Sequence, residues 1–121
     1  MVVQNELSDD EIDRVFHALA TATRRDILRR TIEAEQSVSA LAADYDMSFA
    51  AVQKHVAVLE AAHLIVKRAE GRERLVRADL VMIARARALL ARYEDLWRAR
   101  IDRLDALLAE PENRTTSHEG E

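Results

Sequence analysis

The residue types that usually perform catalysis are scarce in this chain. It has no cysteine and four histidines, His17, His55, His63 and His118, each isolated from the others. The missing cysteines exclude disulfides, thiol catalysis and thiolate metal sites, and histidines this far apart do not make a regular zinc or nickel site. No glycine-rich phosphate loop or Ser/His/acid motif is present. The sequence therefore predicts that the protein is not an enzyme and holds no metal or cofactor.

The side chains best suited to recognition are clustered in the segment 48–62. Gln53 is able to pair with adenine through two hydrogen bonds, and Lys54 is able to reach guanine or a phosphate. Phe49 and Ala50 would fit against a thymine methyl group, and His55 would touch a phosphate or pack beneath the helix. This chemistry is that of reading base edges in double-stranded DNA.

These side chains must be held on a helix if they are to enter a groove together. Ser48 is a typical N-cap residue, and Val52, Val56 and Leu59 repeat at helical spacing, which places them on the buried side. We therefore predict a helix over 48–62 with its N-terminal residues, Ser48 included, facing the groove.

Further helices are predicted on the N-terminal side of this segment. Apolar residues at helical spacing follow a capping box of Ser8 and Glu11. The second helix is expected to begin at Thr23 and a short third helix at Ser37 or Ser39. Asp46 is expected to supply a left-handed corner before the recognition helix. Two short helices joined by such a corner are typical of a helix-turn-helix.

A β-hairpin is predicted over 64–78. Two segments rich in β-branched and apolar residues flank Gly71, which would form the turn. The hairpin is basic, with Lys67, Arg68, Arg72, Arg74 and Arg77 set against Glu70 and Glu73. Such a hairpin is able to meet DNA backbone or the minor groove, and Arg68, Arg72 and Arg74 are the candidate contacts.

A long helix is predicted over 79–109, where Asp79 is the cap and Pro111 ends the helix. Its apolar stripe is longer than a small core covers, since about 30 residues at 1.5 Å each extend ~45 Å. We therefore expect this helix to pair with a second copy of the chain. The alternative is a helix that folds back on its own core. The predicted dimer interface consists of Ile12, Phe16, Leu90, Tyr93, Trp97, Ile101, Leu104 and Leu108.

The net charge of the chain is negative, which would disfavour DNA binding, but the negative charge is concentrated at the two ends. The net charge is −4, but residues 1–13 carry −5 and 109–121 carry −3, so the segment 14–108 is positive. The predicted organisation is a flexible N-terminus over 1–7, one domain over 8–109 and a disordered acidic tail over 110–121. The fold class is mainly α, with a two-stranded hairpin and a long C-terminal dimerisation helix. No segment resembles a signal peptide or membrane helix, so a cytoplasmic location is expected.

Several motifs in register resemble the ArsR/SmtB-type regulators. These are Phe16–Ala20 leading into Thr23–Leu28, Met47-Ser48, Val52–Val56, Val58–Ile65 and the tip Glu70–Arg72. The resemblance spans about residues 12–108 and implies a homodimeric winged helix-turn-helix repressor that binds a palindromic operator. The segments Tyr93–Trp97 and Ile101–Leu104 also resemble a metal-free subgroup of that family with an extended last helix.

This sequence departs from that family pattern at three places. Gln53 stands where the family usually carries Ser, Phe49-Ala50 replaces a more polar or Pro-containing pair, and His63 occupies a corner that is usually Gly. These departures leave the DNA-binding role intact and the operator sequence open. The sequence also does not specify the regulated genes, any small-molecule effector or the choice between repression and activation. Two alternatives also stay open: a protein-interaction module without DNA binding, and a metal-responsive repressor with an atypical site.

Overall fold

The structure is a computed structural model that describes residues 6–120, with side chains placed through residue 109. Five helices and three strands follow one another along this part of the chain. They are α1 (Asp9–Ala18), α2 (Ala22–Glu33), β1 (Gln36–Ser37), α3 (Val38–Ala43), α4 (Phe49–Ala61), β2 (Ile65–Glu70), β3 (Glu73–Ala78) and α5 (Leu80–Gly120). The chain divides into two compact units, Met1–Arg87 and Ala88–Glu121, whose boundary falls inside α5.

Most of the predicted helix caps are confirmed. The Ser8 hydroxyl accepts from the Glu11 amide at 3.1 Å and the Glu11 carboxylate accepts from the Ser8 amide at 2.7 Å, which completes the capping box. Asp79 accepts from the first amides of α5. Helix α2 begins earlier than predicted, because Thr21 has extended backbone angles and caps it in place of Thr23.

The left-handed residue that the sequence assigned to Asp46 lies elsewhere. Among the described non-glycine residues only His63 has a positive φ, of 63°, at the end of α4. There the His63 amide donates to the Glu60 carbonyl and the Leu64 amide to the Leu59 carbonyl. This is a Schellman motif, whose left-handed position normally favours glycine. The turn before α4 needs no such residue, because Asp44 ends α3 with ordinary backbone angles.

The wing contains one strand more than the predicted two. β3 lies between β2 and β1, and both pairs are antiparallel. β1 pairs Gln36 with Val76 and Ser37 with Leu75. Two residues are too few to display the alternation that predicts a strand, so β1 was not predicted. Gly71 forms the hairpin turn with φ of +62°, a backbone conformation that residues other than glycine rarely adopt.

One apolar core holds the unit that contains the helix-turn-helix and the wing. Its fully buried members come from α2, α3, α4 and the sheet, among them Ile27, Leu41, Val52, Leu59 and Val76. Leu7 packs against this core, so the described end of the predicted flexible segment 1–7 is packed. The rest of that segment lies outside the described residues.

Helix α5 passes Pro111, the residue at which the sequence predicted its end. The prediction rested on the two costs of an interior proline, a lost amide hydrogen bond and crowding of the carbonyl four residues earlier, and neither ends the helix here. The predicted disordered tail, 110–121, falls on residues whose side chains lie outside the described part of the chain, and it stays a prediction. None of the described helices is both long enough and apolar enough to span a membrane.

Candidate nucleic-acid interface

The N-terminal end of α4 presents the side chains that the sequence singled out. The Ser48 hydroxyl accepts from the Ala51 amide at 3.1 Å and starts the helix. Phe49, Ala50, Gln53 and Lys54 are all exposed, and the opposite face is buried through Val52, Val56 and Leu59. The core therefore fixes which face of α4 meets solvent.

The turn between α3 and α4 is anchored to α2 by polar contacts. The Tyr45 hydroxyl donates to Asp26 at 2.5 Å, and Arg30 forms an ion pair with Asp44 at 2.7 Å. The Arg30 guanidinium also lies 5.6 Å from the centre of the Tyr45 ring. The hydrogen bond from Tyr45, together with the neighbouring Arg29, holds the pKa of Asp26 below its usual value. These contacts tie the turn that precedes α4 to α2.

The wing brings further cations to the same region. Arg72 and Arg74 are exposed, and within the described part of the chain no carboxylate pairs with either of them. Lys67 lies closer to the base of the wing and pairs with Glu60 at 3.4 Å. The tip of the wing therefore carries two positive charges that are available to a phosphate.

A cleft of about 260 Å³ lies between the start of α4 and the wing. Phe49 and Gln53 contribute to it from α4, and Arg72 and Arg74 from the wing, with Glu73 as an acidic member of the lining. The structure thus places residues 19 to 25 positions apart in sequence around one concave surface.

Arg68, unlike Arg72 and Arg74, is engaged by carboxylates of the protein. Its guanidinium pairs with both oxygens of Glu35, at 3.0 and 3.1 Å, and with Glu70 at 2.8 Å. These carboxylates raise the pKa of Arg68, and Arg68 in turn lowers the pKa of Glu35. Arg68 therefore ties strand β2 to the segment after α2, and its charge is neutralised there.

His55 is half-buried and points one ring nitrogen at the protein. Its Nδ1 lies 3.1 Å from Nη1 of Arg24. Arg24 is only 8% exposed and also donates to the carbonyls of Ala18 and His17, at 2.8 and 3.1 Å. Burial lowers the pKa of His55, and the positive charge of Arg24 lowers it further.

Arg24 and Glu35 were not among the site residues predicted from the sequence. A signal for Arg24 exists, because it shares the i, i+3, i+4, i+7 spacing of the buried stripe that continues through Ile27, Leu28 and Thr31. Glu35 carries no comparable signal, since its pairing with Arg68 spans 33 positions.

No group of three or more His, Cys, Asp or Glu side chains that could hold a metal ion occurs among the described residues. The histidine with a defined polar partner, His55, faces a guanidinium, which cannot share a metal with it.

The helix 88–109 carries exposed apolar side chains along its whole length. Every member of the predicted interface on this segment is at least 37% exposed, namely Leu90, Tyr93, Trp97, Ile101, Leu104 and Leu108. In the other unit, Phe16 of the predicted interface is also exposed and Ile12 is half-buried.

Sequence comparison shows that the chain is similar to a helix-turn-helix transcriptional regulator. No model of a known protein family matches the chain. The chain is 37% identical over 81 residues to the HTH-type transcriptional regulator Rv2034 of Mycobacterium tuberculosis, a match that covers 67% of this chain and 76% of the relative.

Solved structures narrow the class. An ArsR-like transcriptional regulator from Rhodococcus sp. RHA1 superposes with a TM-score of 0.71 at 32% identity, over 81% of this chain and 92% of that one. A homodimeric winged helix-turn-helix DNA-binding domain from Mycobacterium bovis has a TM-score of 0.57 at 26% identity, over 74% and 91% of the two chains. The protein belongs to the ArsR family of winged helix-turn-helix transcriptional regulators.

Proposed function

We propose that this regulator is a homodimeric repressor that binds an inverted-repeat operator through α4 and the wing. The observation that carries the proposal is the cleft in which Phe49 and Gln53 of α4 stand beside Arg72 and Arg74 of the wing. Exposed base-reading side chains and uncommitted cations on one concave surface suit a DNA groove and its flanking phosphates.

Within this surface the groups would have separate roles. Gln53 would pair with adenine, and Phe49 and Ala50 would contact a thymine methyl group. Lys54, Arg72 and Arg74 would bind phosphates or, in the case of Lys54, guanine. Ser48 would place the start of α4 against a phosphate, because helix N-terminal amides attract anions.

Dimerisation is supported by the exposed apolar side chains of 88–109 and of α1. Leaving Tyr93, Trp97 and Leu104 in water is costly, and a second copy would cover them. The described relative from M. bovis is a homodimeric DNA-binding domain. A two-fold dimer would present two copies of α4 about one DNA turn apart, ~34 Å, and hence require an inverted repeat.

Fluorescence anisotropy on a duplex from the region upstream of its own gene tests the DNA-binding part. Gln53→Ala should weaken specific binding by about 1–3 kcal/mol and leave binding to random duplex unchanged. Glu33→Gln is the control, since Glu33 is an exposed residue of α2 whose ion-pair partner is Arg29, and it should bind as the parent does. Absence of selective binding by the parent protein would favour the protein-interaction alternative.

A reporter gene under the same upstream region tests repression. Deleting the regulator should raise reporter expression, and restoring it should lower expression again. A fall on deletion would make the protein an activator.

A further inference from the structure

The contact between Arg24 and His55 determines which ring nitrogen of His55 carries the proton. Arg24 holds a guanidinium, which donates hydrogen bonds and accepts none. The 3.1 Å contact with Nδ1 is therefore a hydrogen bond only if that nitrogen carries no proton. A neutral imidazole with a bare Nδ1 carries its proton on Nε2.

The surroundings of Arg24 keep it in this position. Its Nε and Nη2 atoms donate to the carbonyls of Ala18 and His17, where α1 ends. Three hydrogen bonds therefore fix a guanidinium that is 8% exposed, and the third of them is to His55.

The Nε2 atom of His55 reaches solvent. No partner for it occurs within the described residues, and no buried side-chain nitrogen or oxygen in that part of the chain lacks a hydrogen-bond partner. An Nε2 without a partner must therefore be accessible. It belongs to α4, next to the exposed Lys54.

We propose that Arg24 is a positioning residue that fixes His55 in its neutral Nε2–H tautomer, so that α4 presents a constant N–H donor to a DNA phosphate. This inference rests on the proposed DNA binding. Burial and the positive charge of Arg24 lower the pKa of His55 below its usual value, which favours the neutral ring that the contact with Arg24 requires.

Two isosteric variants separate the two nitrogens. His55→Asn keeps a polar atom near the Nδ1 position for Arg24 and loses the Nε2 donor. His55→Gln keeps a donor near Nε2 and loses the acceptor. We expect His55→Asn to weaken binding to the upstream duplex and to random duplex alike by about tenfold or more, the value of one hydrogen bond to a charged acceptor. His55→Gln should retain more of the affinity than His55→Asn.

The dependence of binding on salt distinguishes a neutral donor from a charged one. Because a neutral N–H displaces no counterion, His55→Asn should leave the slope of log K against log salt unchanged. A protonated His55 would reduce that slope by about 0.9 when removed. A reduced slope, or an affinity equal to that of the parent protein, would overturn the proposal.

The tautomer itself is measured on the DNA-free protein from the ring ¹⁵N chemical shifts of His55. We expect a single Nε2–H species in the parent protein and a mixture of tautomers in Arg24→Lys. Arg25→Lys is the matched control, because Arg25 donates to the carbonyl of Leu19 and makes no contact with His55; it should keep the single species. An Nδ1–H species in the parent would overturn the proposal even if Arg24→Lys fails to fold. Failure of the parent to bind DNA would instead contradict the proposed function.

Discussion

Apolar side chains are buried in the unit that contains the helix-turn-helix, and they are exposed along the helix segment 88–109. Leu41 and Leu59 in the first are 0% exposed, whereas Trp97 is 60% and Leu108 is 75% exposed in the second. Both segments place their apolar residues three or four positions apart. Helical spacing therefore specifies that an apolar face exists and leaves open what covers it.

The comparison predicts a large difference between two leucine truncations. Leu59→Ala should lower the free energy of unfolding by about 2–5 kcal/mol, because it opens a cavity in a packed core. Leu96→Ala, at a side chain that is 66% exposed, should change it by less than about 0.5 kcal/mol. Urea unfolding followed by circular dichroism measures both values. A similar loss of stability at the two sites would mean that the side chain of Leu96 is packed as tightly as that of Leu59.

A second prediction concerns what covers the helix 88–109. Trp97→Glu should raise the dissociation constant of the dimer by about 30-fold or more, since a buried tryptophan anchor contributes at least 2 kcal/mol. Leu96→Glu is the control, because Leu96 lies about 100° around the helix from Trp97 and outside the predicted stripe. Sedimentation velocity over a range of concentrations measures the constant. A Trp97→Glu protein that dimerises as the parent does would mean that the helix has another partner.

A third prediction concerns pH and the helix-turn-helix unit alone. The pKa of His55 is lowered in the folded protein from its usual 6.5, so the neutral ring is favoured by folding. The stability that this provides is complete above pH 6.5 and declines as the pH falls below that value. His55→Asn, which does not titrate, should show a shallower decline between pH 7 and 5.5 in chemical unfolding. Equal slopes would mean that His55 is not linked to folding in this range.

The smallest predicted effect is at the end of α4. A left-handed backbone costs an ordinary residue about 1–2 kcal/mol, and the larger unfolded-state entropy of glycine offsets part of the gain on replacement. His63→Gly should therefore raise stability by about 0.5 kcal/mol. His63→Ala is the opposite test and should lower it. A stabilising His63→Ala would contradict the strain assigned to this position.

The sequence predicted those parts of the fold that depend on local order. The recognition helix, the hairpin around Gly71 and the caps at Ser8, Ser48 and Asp79 follow from neighbouring residues. The third strand was missed, since its pairing is made with a distant strand and involves two residues.

The predicted site residues likewise fall into those that depend on neighbouring sequence and those that depend on distant contacts. The exposure of Gln53 and Lys54 follows from their place beside a buried stripe on α4. The role of Arg68 depends on Glu35, 33 positions away, and that of His55 on Arg24, 31 positions away. Composition and periodicity do not reveal contacts between residues this far apart in sequence. The protein partners of Arg68 and His55 therefore became known only from the folded chain.

Binding through the wing requires that the available cations of its tip, Arg72 and Arg74, meet DNA phosphates. The salt dependence of binding to the upstream duplex, measured for Arg72→Ala and for Arg68→Ala, tests this requirement. The slope of log K against log salt should fall in magnitude by about 0.9 for Arg72→Ala. It should stay unchanged for Arg68→Ala, whose guanidinium is held by Glu35 and Glu70. A parent slope retained in Arg72→Ala would contradict the role given to the wing.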